Sequence, residues 1–273
     1  MNLVYIHIPC EDSRYTSSEF PTFAHYTVRH NYTHHTSSTV IVSPTNPNIE
    51  GVEYTWIDVN KYTHKLRELR QVTRVSDSFI FVTFARLYIL YYVMKDLELE
   101  NVIHIENDNL LFYNTGNLES YFDKRNIMYT IIGPVVGSAG FMLIPEASMY
   151  KEFCIKCIQL IVKNKSLSDM NVLSILRSDE SVCLLPSLPG DVLSDRYIFD
   201  GASYGQYLEG NNQGSGPGHI SQDHFTAPLL QSRELKVFHD IRELPIVEQS
   251  GEQYMLFNLH IHNKSRLLRY DQR

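Results

Sequence analysis

The chain has 273 residues, with 24 Lys and Arg against 31 Asp and Glu, and so a formal net charge of −7. That balance excludes a general nucleic-acid binder, which would show a basic face or tail. At 43% hydrophobic and 20% charged it is not a disordered chain, and its length suits one large α/β domain as well as two small ones.

Residues 2–8 (NLVYIHI), 38–43 (STVIVS) and 52–59 (VEYTWIDV) are apolar runs that predict three strands. Between the first two lies a polar segment, HYTVRHNYTHH, with His25, His30, His34 and His35. His30 and His34 stand four apart, as a helical zinc pair would. The β-branched and Tyr residues between them argue against a helix, and no Cys or acid is near to complete a tetrahedron. A polar loop is expected there. In TFARLYILYYVMKDLELE (83–100) the residues Leu87, Leu90, Tyr91, Met94 and Leu97 recur at three- and four-residue steps, which predicts a helix. NVIHI (101–105) follows as a strand buried on both faces. Strands alternating with helices predict an α/β fold with a mostly parallel sheet.

Farther along, IMYTII (127–132) and GFMLIP (140–145) read as two strands joined by a hairpin-like GPVVGSA. ASMYKEFCIKCIQLIVKNK is a second long helix, and SDMNVLSIL a third, capped by Ser168 or Asp169. After FDGASYGQYLEG comes the Gly-rich NNQGSGPG (211–218), expected to be the most flexible stretch, and YMLFNLHIH (254–262) is the final strand. With no clean linker, one domain over 1–273 with a mobile C-terminal third is expected.

No stretch approaches the roughly 18–20 uninterrupted apolar residues of a membrane span, and NLVYIHIP lacks the basic start of a secretory signal. The four cysteines (Cys10, Cys154, Cys157, Cys183) are too scattered for a disulfide scaffold. Cys154 and Cys157 read as core thiols on one helix face. A reducing, cytoplasmic setting is the expectation.

The sharpest feature is NVIHIENDNLLF, where a buried strand stops at Glu106-Asn107-Asp108-Asn109 and apolar residues resume at once. In open parallel sheets ligands bind beyond the carboxyl ends of the strands. Two carboxylates there can share a hard cation and its phosphate oxygens; a plain polar turn explains the same residues. His260 and His262 share one face of the last strand, as possible ligands or as solvent-facing histidines. Arg86, on an apolar helix, could brace the acidic tip or be a partly exposed helix residue. Gly137 to Gly140 permit close backbone approach or form an ordinary turn. Asp169 is explained as a helix cap, and Asp200 precedes a glycine and a Gln-Tyr pair.

Taken in order, HIENDNLLF after an arginine-bearing helix, GSAGFMLIP, SDMNVLSIL, FDGASYGQYLEG and FNLHIHNKSRL resemble GT-A-fold, nucleotide-sugar-dependent glycosyltransferases, as found in bacteria and large DNA viruses. The resemblance runs from about residue 2 to residue 265. It implies a Rossmann-type α/β/α sandwich, with about 1–125 as the nucleotide-binding half and about 126–273 as the acceptor half and C-terminal metal-site strand. It implies that Glu106 and Asp108 hold Mn²⁺ or Mg²⁺ against the diphosphate of a UDP- or GDP-sugar, with a histidine near the C-terminus (His260 or His262) completing the site. Arg86, Gly140 and Lys264 fall to donor binding, and Asp169 or Asp200 to catalysis. Glu106 stands where many members carry Asp. The implied partners are a nucleotide sugar and a carbohydrate or glycoprotein acceptor, and the implied setting is the cytoplasm, the host's if the chain is viral. A sugar nucleotidyltransferase would carry a Gly-rich basic loop after the first strand, where IHIPCEDSRY has no glycine; a non-catalytic carbohydrate-binding module is the non-enzyme alternative.

Overall fold

The computed structural model describes residues 1–10, 19–35, 38–192, 196–210, 216–267 and 270. Residues 11–18, after the first strand, and 211–215 of the Gly-rich loop lie outside these. The first half runs β1 (Asn2–Ile6), α1 (Thr22–Tyr32), β2 (Ser38–Ser43), β3 (Thr55–Asp58), α2 (Thr63–Thr73), α3 (Ser78–Asp96), β4 (Val102–Ile105), β5 (Asn109–Leu111) and α4 (Glu119–Phe122). The second runs β6 (Ile127–Gly133), β7 (Val136–Ile144), α5 (Ala147–Lys163), α6 (Asp169–Leu176), β8 (Val182–Leu184), β9 (Tyr197–Phe199), α7 (Ser203–Glu209), α8 (Ala227–Gln231), β10 (Leu235–His239), β11 (Pro245–Gln249), β12 (Glu252–His260) and α9 (Lys264–Leu267).

Seven strands form one sheet in the order β3-β2-β1-β4-β7-β6-β8. Every pairing is parallel except those of β7 with β4 and β6, so β7 alone runs against the others. The expected mostly parallel α/β sheet is present. Alternation along β1 divides the core: Val4 and Ile6 face the layer of α3 and α5, while Leu3 and Tyr5 face a second layer with Ile103, Phe141, Phe199 and Phe257. A smaller sheet, β10-β11-β12-β5 with β9 beside β12, packs at that side. The chain passes from the large sheet to the small one between β4 and β5, and the three residues that make the passage are Glu106, Asn107 and Asp108.

Two expectations change. HYTVRHNYTHH is largely helix α1 rather than a loop. Its inward stripe of Ala24, Thr27, Val28 and Asn31 includes two polar residues, so apolar periodicity does not show it. The glycines of GPVVGSA lie in strands: Gly137 is inside β7, where a Cβ would stand 2.6 Å from Leu173 Cβ of α6. α3, whose 19 residues are long and apolar enough to cross a bilayer by length and composition, is not an uninterrupted apolar run, since Thr83, Arg86, Lys95 and Asp96 break it. Phe81, Phe84, Leu87, Leu90 and Val93 of this helix are buried in the core against the large sheet. α3 begins at Ser78, a turn earlier than predicted, because Asp77 accepts the Ile80 N–H at 2.9 Å as its cap. Cys154 and Cys157 are buried on α5, and burial pushes the Cys157 thiol well up.

Candidate metal and nucleotide site

The acidic tip is pinned on both sides. Glu106 N–H donates to the Gly140 carbonyl at 3.0 Å, and Ile261 N–H donates to the Asp108 carbonyl at 2.8 Å, so β7 and the end of β12 fix the turn. β12 pairs with β5 in a register that sets His260 opposite Asn109. This brings His260 Nε2 to 3.1 Å from Glu106 Oε2 and 3.2 Å from Asp108 Oδ1. Lys264, at the start of α9, forms an ion pair with the other oxygen, Asp108 Oδ2. Among the described residues, Glu106, Asp108 and His260 are the one group of three able to hold a metal ion, with ligand atoms within 4.8 Å of one another.

The far ring nitrogen of His260, Nδ1, lies 3.0 Å from the Gly201 carbonyl. A carbonyl only accepts, so Nδ1 carries a proton; the hydrogen bond to Glu106 puts a proton on Nε2 as well, and loss of that second proton would turn the Nε2 lone pair toward both carboxylates. Arg86 Nη2 reaches Glu106 Oε1 at 2.5 Å. Burial opposes the charge of Glu106, but the Arg86 guanidinium and His260 outweigh it and hold the carboxyl well below the usual carboxylate range. Burial likewise opposes a charge on His260, and hydrogen bonding to Glu106 lifts it above the ordinary imidazole value. Arg86 therefore braces the acidic tip, one of the two roles open to it.

His262 does not join the carboxylates. Its Nδ1 lies 3.3 Å from Gln206 Nε2, its ring meets the His260 ring edge-on at 4.7 Å, and burial lowers its pKa to about 3. Gly140 offers no open backbone to a sugar, because a Cβ there would stand 2.7 Å from His260 Nδ1. Asp200 is fully buried, and its carboxylate accepts four backbone N–H groups: Ala202 (2.9 Å) and Tyr204 (3.0 Å) on Oδ1, Gly205 (2.8 Å) and His260 (3.0 Å) on Oδ2. That is the geometry of an anchor for α7 and β12, with no oxygen turned to a substrate. Asp169 differs. Ser168 caps α6 in a reciprocal box with Asn171, which frees the Asp169 side chain from capping. Asp169 hydrogen-bonds Thr83, and burial pushes its carboxyl up against the pull of Arg86.

These groups line a cavity of about 650 Å³ that holds Arg86, Glu106, Asp108, Asp169, His260 and Lys264. The same cavity includes His224, whose Nδ1 lies 2.9 Å from Ser203 Oγ. Neither His224 nor the Gly201 carbonyl is visible in the sequence, the first because its neighbours form no motif and the second because it is backbone. Two carboxylates and one imidazole form a donor set suited to a hard divalent ion such as Mn²⁺, and the Gly201 contact already selects the ligating tautomer. The residues present therefore fit the implied metal.

No family model and no curated protein matches the chain. Solved structures are similar in shape. They include the galactosyltransferase LgtC in complex with donor and acceptor sugar analogues (11% identity, TM-score 0.49, covering 100% of this chain and 95% of that one). Mouse xyloside xylosyltransferase 1 covers 68% of this chain and 85% of its own (13% identity, TM-score 0.46), and the glycosyltransferase GlyE of Streptococcus pneumoniae covers 71% and 45% (16% identity, TM-score 0.43). At 11–16% identity these are likenesses of shape alone.

Proposed function

We propose that this protein is a metal-dependent glycosyltransferase that moves a sugar from a nucleotide-diphosphate sugar, UDP- or GDP-linked, to a hydroxyl acceptor on a glycan or glycoprotein. The observation that carries the reading is the convergence of Glu106, Asp108 and His260 Nε2 at the carboxyl end of β4, within 4.8 Å of one another and open to a large cavity. Glu106, Asp108 and His260 hold Mn²⁺ or Mg²⁺ in this reading. The ion supplies Lewis-acid charge that stabilises the departing nucleoside diphosphate.

The chain's own residues do the rest. Lys264, beside Asp108 in the same cavity, is placed to contact the diphosphate as a point charge. Arg86 keeps Glu106 ionised and fixes its direction. Asp169, on the α6 side, is the group best placed to accept a hydrogen bond from a sugar hydroxyl. Gln206 and His224 offer further hydroxyl partners in the same cavity. Binding of the donor across the mouth excludes water from largely buried carboxylates, which strengthens each of these contacts.

The test is a panel of nucleotide sugars with Mn²⁺, scoring released nucleoside diphosphate and then the anomer formed on an acceptor. Turnover of one donor supports the reading. Release of pyrophosphate from a nucleoside triphosphate and a sugar phosphate would indicate a nucleotidyltransferase instead.

A further inference from the structure

We infer that Asn258 and Asn109 are positioning residues that tie two of the three metal ligands, Glu106 and His260, to each other, an inference that rests on the metal-site reading above. Both side chains are wholly buried at the junction of the two sheets. Asn258 Nδ2 donates to Asn109 Oδ1 at 2.9 Å and to the Asp200 carbonyl at 2.9 Å, while its Oδ1 accepts the Asp200 N–H at 3.1 Å. Asn109 Nδ2 in turn donates to the Gly140 carbonyl at 2.8 Å, the same oxygen that accepts the Glu106 N–H. Asp200, held on its backbone by Asn258, accepts the His260 N–H through its carboxylate.

The path therefore runs from Glu106 through Gly140, Asn109, Asn258 and Asp200 to His260. It crosses from β7 to β12 with every amide oriented by its partners: the Asn258 oxygen faces an N–H, and its nitrogen faces two acceptors. A buried amide left without one of these partners would keep its desolvation penalty unrepaid, so the arrangement is strongly specified. Neither asparagine lines the cavity, and neither carries charge. Their effect on the ion is through ligand position alone. Outer-shell partners of this kind change metal affinity by roughly 10–100-fold.

The experiment is Mn²⁺ titration of the full chain, followed by the electron paramagnetic resonance signal of free Mn²⁺, on the native protein, Asn258→Leu, Asn258→Ser and Asn109→Ala. Circular dichroism confirms folding at the titration temperature, and Asn258→Ser and Asn109→Ala carry the test if Asn258→Leu does not fold. Tyr129→Phe is the control, since it removes an equally buried hydrogen bond, 2.8 Å to the Leu173 carbonyl, away from the ligands. The asparagine variants are expected to raise the Mn²⁺ dissociation constant about 10–100-fold, and Tyr129→Phe to lower Tm without changing it. Native affinity in the folded asparagine variants would overturn the inference while leaving the metal site standing. Mn²⁺ binding that is missing in the native chain, or unchanged in Asp108→Ala, would overturn the metal-site reading and this inference with it.

Discussion

Gly140 lies directly beneath the imidazole of His260: a Cβ added there would stand 2.7 Å from Nδ1 and 3.0 Å from Cε1. The ring can face Glu106 and Asp108 only because this strand position carries no side chain. Gly140→Ala is therefore expected to push the ring off the Gly201 carbonyl and weaken Mn²⁺ binding by at least about 10-fold. Isothermal titration with Mn²⁺ checks it. An unchanged affinity would show that His260 is not held where the ion binds.

The ion pair of Arg86 with Glu106 has side chains only 18% and 15% exposed. Removing the cation leaves Glu106 beside Asp108 with only His260 to offset its charge. Arg86→Met is expected to cost about 2–3 kcal/mol, below the roughly 3–5 kcal/mol of a fully buried pair because some solvent reaches it. Urea unfolding of the metal-free protein measures this. Part of the loss should return when Mn²⁺ is added, because the ion replaces the missing positive charge.

Asp200 offers a cleaner separation of roles. An amide in its place keeps one oxygen and sets an NH₂ against two backbone N–H groups, so two of four hydrogen bonds are lost. Asp200→Asn is expected to destabilise the fold by about 2–4 kcal/mol. A residue acting as base would show the opposite pattern, with stability unchanged and only turnover lost. Asp169→Asn is expected to show that opposite pattern.

Away from the site, the Lys156 ammonium holds the Asp179 carboxyl at about 2 through contacts of 2.7 Å to each oxygen. A depressed folded pKa contributes stability that is complete above the ordinary carboxylate value and is lost as pH falls through the folded value. The Tm difference between the native chain and Lys156→Met should accordingly be constant above about pH 5 and shrink toward zero near pH 2. A difference that grows on acidification would contradict the pairing.

Six strands of the large sheet were legible because they are apolar runs, and the acidic tip because it interrupts one of them; β8, three residues half-buried or exposed, gave no such signal. Asp108 and Glu106 announce themselves by standing where a buried strand stops. The choice between His260 and His262 was not legible, since both share a face. Cross-strand register with Asn109 and a backbone carbonyl, Gly201, separate them. α1 escaped because its inward Asn31 is satisfied by Tyr5, the Asn109 carbonyl and the Leu111 N–H rather than by apolar contact. Asp200 looked like an acid before a glycine, which is also how a carboxylate that collects backbone N–H groups looks.

The central claim is that Glu106, Asp108 and His260 hold a cation that the sugar-transfer chemistry requires. The most direct test is the release of nucleoside diphosphate from the best donor of the panel, measured with Mn²⁺, with chelator, and in Asp108→Ala with Mn²⁺. The account predicts release in the first case only, with Asp108→Ala reduced by more than the roughly 100-fold that outer-shell changes reach. Equal release in chelator, or full release by Asp108→Ala, would contradict it.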